Sequence, residues 1–295
     1  MNTGVKIFLG ILVLIFIIWY FFRNKISSEV KEYVESRPSN PTLKIKDCFG
    51  VTSCLSVRLD NFCKKYKKNP DITEIDSSSQ FGFYKDYPTQ DVSKILFQPY
   101  NPSIKVPESD FKHSWQFKDY KDINVYDLNK IAMNVCNPSE IVRQKSREIS
   151  QIIGNRCVVF YRGNDKSKEI KSIPYDTFIK TANDLKERSF YVQTDEQEFY
   201  DYFKSKFPDT IYYDGLPMMK KNVETFSKGK DDEPKSEFAI KFLAAICSIS
   251  QSRTIILPTG NTGLWATIYR GTLNGVHQLK GECTEDMYCD IVNKY

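Results

Sequence analysis

Hydrophobic and polar positions divide the chain into three stretches of different texture. Residues 7–22 (IFLGILVLIFIIWYFF) are sixteen uncharged, almost wholly apolar residues. As a helix they span about 24 Å, slightly short of a hydrocarbon core of roughly 30 Å. Lys6 and Arg23 stand at the ends, where their heads can snorkel, and Trp19 and Tyr20 suit a membrane interface. No small-x-small cleavage pattern follows, so the expected element is a retained single-span anchor over about residues 5–22, not a cleaved signal peptide or a core helix. Lys6 and the α-amino group lie on one side and Arg23 and Lys25 on the other, which leaves the side of the membrane open. Residues 23–40 are polar and run into Pro38-Ser39-Asn40-Pro41, the texture of a stem.

Beyond the stem, residues 41–150 are irregular and rich in Pro, Asp and aromatics, whereas the following stretch alternates short β-rich runs with amphipathic ones. Residues 157–161 (CVVFY), 190–193 (FYVQ), 211–213 and 254–257 (TIIL) read as strands. Residues 176–187, 196–207, 236–250 and 262–270 read as helices, the second with Phe199, Tyr200, Phe203 and Phe207 on one face. Alternating strands and helices predict an α/β fold with a parallel sheet, in a Rossmann-like domain. There is no internal repeat and no low-complexity tract.

Composition narrows the function. Of 295 residues, 41% are hydrophobic and 27% charged, the balance of an ordinary globular chain. Lys and Arg exceed Asp and Glu by 42 to 37, but the charges are spread along the chain, which argues against nucleic acid as a partner. The densest basic cluster, Lys64, Lys65, Lys67 and Lys68, reads as a solvated helix end ahead of a phosphate or lipid patch. With two histidines, His113 and His277, a His-based metal site is all but excluded. The eight cysteines form no CxxC pair, which argues against a zinc ribbon. Cys157 and Cys247 sit in apolar runs and read as buried thiols, while Cys48 with Cys54 and Cys283 with Cys289 are spaced so that an oxidising compartment would leave pairing open. The chain has no Asn-x-Ser/Thr acceptor with x other than Pro, which leans toward a cytosolic face.

Ligands of open α/β sheets bind beyond the carboxyl ends of the strands. Three motifs fall there: Tyr161-Arg162-Gly163-Asn164-Asp165-Lys166, Thr194-Asp195-Glu196, and Pro258-Thr259-Gly260-Asn261-Thr262-Gly263 leading into a helix. Small residues at a helix start offer backbone N–H groups and the positive helix end to a phosphate. An arginine at a strand end adds a forked, permanently charged donor. The plain alternatives are an ordinary turn at residues 259–263 and a structural ion pair for Arg162. Three such motifs at successive strand ends favour a diphosphate.

These motifs resemble those of the α-1,6-fucosyltransferases, including the bacterial nodulation fucosyltransferases. The family's Arg-Arg-Thr-Asp-Lys is matched by Arg162-Gly163-Asn164-Asp165-Lys166, with Glu169 and Pro174 downstream. Its Thr-Asp-Asp is matched by Thr194-Asp195-Glu196, and its hydroxyl-rich turn by residues 259–263. Residues 47–85 and 113–117 are in addition similar to predicted glycosyltransferases of large DNA viruses. The resemblance implies a GT-B-like pair of Rossmann-like lobes: an acceptor-side lobe over residues 41–150 and a donor-binding lobe over residues 151–295. It implies that Arg162, Asp165 and Lys166 with Thr259, Gly260, Asn261 and Thr262 hold the donor diphosphate. Thr194 and Asp195 would lie near the nucleoside, and Glu169 would be the base on the acceptor hydroxyl in an inverting transfer. The implied donor is GDP-fucose, the acceptor a glycan or glycoprotein, and the lipid partner is met through the anchor.

The chain departs from the family in three places. Glu169 stands one residue closer to Lys166, Gly163 replaces the second arginine, and Ala245 stands where an aspartate is expected. No Asp-x-Asp motif follows a strand, Asp231-Asp232 falling in a charged loop, so the reading requires neither metal nor cofactor. On the acceptor side the candidates are Arg58, His113 and Trp115. Against these stand a surface-helix arginine for the first and a packed core pair for the other two. Asp76-Ser77-Ser78-Ser79 reads as an acceptor loop or a helix cap. The rival functions are a transferase fold that binds a nucleotide or glycan without turnover, and an anchored structural protein.

Overall fold

The computed structural model describes residues 42–163, 173–220 and 233–280. The expected anchor and stem, the segment bearing Asp165, Lys166 and Glu169, the Asp231-Asp232 pair, and Cys283 and Cys289 lie outside the described residues. Among the described residues, no helix is long and apolar enough to cross a membrane.

The amino-terminal half opens with a small parallel βαβ unit. Strand β1 (Thr42–Lys44) and β2 (Glu74–Asp76) pair in register and are joined through helix α1 (Val51–Tyr66). A short α2 (Val92–Leu96) follows, then α3 (Val125–Val135) and α4 (Glu140–Ile153). The basic cluster does mark a helix end: Lys64 and Lys65 occupy the last turn of α1. Lys64 pairs with Asp60 and Lys67 with Asp110.

The carboxyl-terminal half is a four-stranded parallel sheet. Its strands are β3 (Cys157–Tyr161), β4 (Phe190–Thr194), β5 (Ile255–Pro258) and β6 (Val276–Leu279), in spatial order β4-β3-β5-β6. The helices are α5 (Tyr175–Asp184), α6 (Gln197–Lys206), α7 (Lys235–Ser250) and α8 (Asn261–Arg270). The strand expected at residues 211–213 is reduced to a parallel bridge of Ile211 to Tyr191 on the outer edge of β4. Counting that bridge, the order along the sheet is third, second, first, fourth, fifth, which is the doubly wound arrangement. The carboxyl ends of β3 and β5 therefore face the point where the winding reverses.

Alternation along the buried strands divides the core between the two faces. Val158, Phe160, Tyr191, Ile255 and Leu257 point to one cluster, shared with α4, α7, α8 and the amino-terminal half. Cys157, Val159, Tyr161, Phe190, Val192 and Ile256 point to the other, covered by Phe178 of α5 and by Phe199 and Phe203 of α6. The first cluster runs without interruption from Leu43 to Ile268, so the two halves share one core. Cys157 and Cys247 are buried as expected, and burial pushes both thiols up to about 12. Cys48 and Cys54 are free thiols, the former donating to Ser53 Oγ at 3.2 Å.

Helix α7 has Pro234 as its N-cap and no side-chain cap of its own. Asp86, from the other half of the chain, supplies one: its carboxylate accepts from Lys235 N at 2.6 Å, Ser236 N at 3.4 Å and Ser236 Oγ at 2.5 Å. Burial works to raise the Asp86 carboxyl, and these bonds with one from Gln90 outweigh it, so its pKa lies below 3.8. A carboxyl lowered on folding contributes stability above its unfolded value and loses it as pH falls through the folded one. Asp86→Ala is therefore expected to cost about 0.5–2 kcal/mol at neutral pH. In urea titrations the gap between the two proteins should close below about pH 4. A gap that persists unchanged at acid pH would show that the carboxylate is not what caps the helix.

Candidate functional site

At the carboxyl end of β5 the chain turns through Thr259 and Gly260 into α8. Gly260 adopts φ 143°, ψ 171°, a region open essentially to glycine alone. The first intrahelical bond runs from Leu264 N to Gly260 O at 2.9 Å, which leaves the N–H groups of Asn261, Thr262 and Gly263 at the helix start without an intrahelical acceptor. Gly263 is required by crowding, because a Cβ there would lie 2.5 Å from Pro258 O and 2.8 Å from the Tyr120 hydroxyl. That hydroxyl donates to Gly260 O at 3.1 Å, so a fully buried tyrosine from the amino-terminal half braces the turn.

The side chains of this turn are bonded within the fold. Thr259 Oγ1 accepts from Gln278 Nε2 of β6 at 3.0 Å and donates to Leu279 O at 3.3 Å. Asn261 Oδ1 accepts from Ser56 Oγ of α1 at 2.9 Å, and its amide donates to His113 Nε2 at 3.3 Å. Thr262 Oγ1 lies 3.4 Å from Thr52 Oγ1, and Ser56 Oγ accepts from Trp265 Nε1 at 2.8 Å. Thr262, Asn261 and Trp265 hold α8 to α1, and the backbone N–H groups at the start of α8 are the groups left without an intrahelical acceptor.

These contacts bring the start of α1 beside the start of α8. Gly50, the N-cap of α1, offers no side-chain cap. The Tyr84 phenol packs here: burial pushes it up to about 12, offset in part by the charge of Arg162 and the backbone N–H of Val51. Arg162 leaves β3, the strand that pairs with β5 ahead of α8. Two positive helix ends meet at the end of β5, and Arg162 follows the end of the neighbouring strand β3, an arrangement suited to one polyanionic group.

The second motif supports the first. Asp195 Oδ1 accepts from Gly163 N at 3.0 Å, and Thr194 Oγ1 accepts from Glu196 N at 3.0 Å. Glu196 is buried, and a Cβ on Gly163 would fall 1.9 Å from its Oε2, so an arginine at position 163 would displace it. That accounts for Gly163 where the family carries a second arginine. Ala245 lies within the apolar packing of α7, 2% exposed, where an unpartnered aspartate would be costly.

The acceptor-side candidates scatter. Arg58 is not on the surface: it is 4% exposed, donates to Val135 O at 2.8 Å and to Ser77 Oγ, and lies over the Phe97 ring at 5.2 Å. Its bonds are structural, and burial lowers its pKa. His113 meets the residue 259–263 turn through Asn261. Trp115 packs edge-on to Phe111 and carries Lys118 over its ring at 4.1 Å. Asp76 to Ser79 cap no helix. Asp76 accepts from Ser78 N and Oγ in a local turn, and Ser79 donates to Ile45 O. Thr52, Ser56, Tyr84 and Tyr120 were missed. The one available signal was Gly50-Val51-Thr52-Ser53, a small and hydroxyl-bearing helix start like Gly260 to Gly263. Among the described residues no cluster of His, Cys, Asp and Glu is arranged to hold a metal ion.

The sequence matches no protein-family model and no curated protein. Solved structures do match. One is the NodZ alpha-1,6-fucosyltransferase soaked with GDP-fucose, with TM-score 0.52 and 10% identity over 77% of this chain and 91% of that one. Another is the fucosyltransferase NodZ from Bradyrhizobium, with TM-score 0.50 and 12% identity over 76% and 90%. At this identity the likeness is one of fold: a mixed α/β, fucosyltransferase-like architecture with parallel sheets.

Proposed function

We propose that the protein is a membrane-anchored glycosyltransferase of two Rossmann-like lobes that moves a sugar from a guanosine diphosphate donor, GDP-fucose, to a hydroxyl of a glycan or glycoprotein. The observation that carries the reading is the meeting of the N-termini of α1 and α8 at the switch point, with Arg162 following the end of β3, the strand paired with β5. A leaving diphosphate develops charge as the bond to the sugar breaks, and fixed donors in such a place stabilise it without reorganisation. The donor lies across the carboxyl-terminal lobe, with Asp195 and the Thr194 turn toward the nucleoside. Asp165 and Lys166 join the diphosphate site, and the acceptor enters from the amino-terminal lobe.

The chemistry is a single inverting displacement. Glu169 takes the proton of the acceptor hydroxyl, the oxygen bonds to the anomeric carbon, and the bond from that carbon to the β-phosphate oxygen breaks. The electron pair leaves with the diphosphate, held by Arg162 and the two helix ends without a metal ion.

Thermal-shift titration of the full-length protein with GDP, UDP and CMP, with and without Mg²⁺, is the direct test. Selective stabilisation by GDP, indifferent to Mg²⁺, is the expected result. A shift with UDP alone would discard the guanine donor, and no shift with any nucleotide would discard the reading. The carboxylate missing at Ala245 favours one second reading, nucleotide binding without turnover. GDP stabilisation with no transfer or donor hydrolysis would establish it.

A further inference from the structure

Phe49 and Phe83 are large apolar side chains left in water, 57% and 38% exposed. Their rings lie together, centroids 5.0 Å apart and planes 33° apart. Their placement is built. Phe49 lies over Gly82, where a Cβ would stand 3.1 Å from its Cδ1, so any larger residue at 82 would push the ring away. The preceding residue, Phe81, adopts φ 63°, ψ 34°, a left-handed conformation that is unusual for a bulky side chain. It is held there by a fully buried ring and by donation from its N–H to Cys48 O at 2.9 Å. A strained turn and a glycine thus combine to keep two aromatic rings at the surface.

Their position ties them to the site. Phe49 immediately precedes Gly50, the N-cap of α1. Both rings belong to the amino-terminal half, and the α1 start that Phe49 adjoins is bonded to the start of α8. Aromatic faces are electron-rich, and the polarised C–H groups on one face of a pyranose ring pack against them while its hydroxyls stay in water.

We propose that Phe49 and Phe83 form an acceptor platform, on which a pyranose ring of the acceptor glycan stacks beside the diphosphate site. This rests on the glycosyltransferase reading above and replaces Arg58, His113 and Trp115 as the acceptor-side residues.

The test is saturation-transfer NMR on the full-length protein. The probes are the methyl glycosides of glucose, galactose, mannose and N-acetylglucosamine at millimolar concentration, with GDP thermal shift run in parallel. The wild type is expected to transfer saturation to ring C–H protons of at least one probe. Phe49→Ala should lose most of that signal, Phe49→Ala/Phe83→Ala all of it, and Phe49→Trp should retain it. The GDP shift should be unchanged throughout, since the rings stack the sugar and do not hold the nucleotide. Absence of saturation for every probe in the wild type would overturn the platform, as would an undiminished signal in the double variant. Loss of the GDP shift in the double variant would overturn it too, by making the rings a nucleobase site. A wild type that takes the sugar but not GDP would sink the donor reading and leave the platform standing.

Discussion

Arg162→Ala is expected to raise the dissociation constant for GDP about a hundredfold and to slow transfer by about 10²–10³-fold, the loss seen when one donor to a developing anion is removed. At a GDP concentration a hundred times the wild-type dissociation constant, the wild type gains about 2.7 kcal/mol of stability. The variant, then only at its own dissociation constant, gains about 0.4 kcal/mol by the same relation. The shift is therefore large in one protein and close to the noise in the other. Arg162→Lys should fall between, because an ammonium keeps the charge and loses the fork. Full GDP stabilisation of the alanine variant would remove Arg162 from the site and with it the central support for a diphosphate donor.

Gly263→Ala carries the largest expected cost in stability. The new methyl would meet Pro258 O at 2.5 Å, the Tyr120 hydroxyl at 2.8 Å and Leu257 Cδ1 at 3.1 Å. The first is backbone of a central strand, and the other two are buried without room to retreat. Overpacking of this kind costs about 1–3 kcal/mol, and each kcal/mol is roughly 2–4 °C in melting temperature for a chain of this order. The same shift would move the start of α8, so GDP affinity should fall with stability. Gly50→Ala is the matched control: its Cβ would have nothing nearer than Ser53 Cβ at 4.0 Å, and its φ of −76° suits alanine. Stability equal to wild type in Gly263→Ala would show that the turn can be remodelled and does not dictate the geometry of the helix start.

The carboxyl-terminal half was legible because its strands are buried on both faces. Such strands read as unbroken apolar runs, and CVVFY, FYVQ and TIIL could hardly be anything else. β6 was not legible: VHQL lies at the sheet edge with every residue half-buried, and carries no alternation. In the amino-terminal half α1 was hidden for a different reason. Its buried side includes Ser56, Arg58 and Asp60, so the apolar stripe that marks a helix is interrupted by the polar groups that bond to other parts of the fold. In α4 the buried Ser146, bonded to Ser248 of α7, breaks the stripe in the same way. At the site, Arg162 and the residue 259–263 turn were readable because each directly follows a strand. Tyr120, Thr52 and Ser56 were not, because what makes them part of the site is a contact with a residue far along the chain.

Those contacts set the order in which the site can come into being. Ser56 meets Asn261 across 205 residues, Trp265 meets Ser56 across 209, and Thr52 meets Thr262 across 210. Contacts of that separation are among the slowest to form, since the entropy of closing the intervening chain is lost before the contact returns anything. The start of α8 can wind as soon as its own turn is made, but it is aimed only when nearly the whole described chain has been synthesised and docked. Nucleotide binding would then report on completion of folding, and a nascent chain still lacking α8 would have the start of α1 with nothing to face.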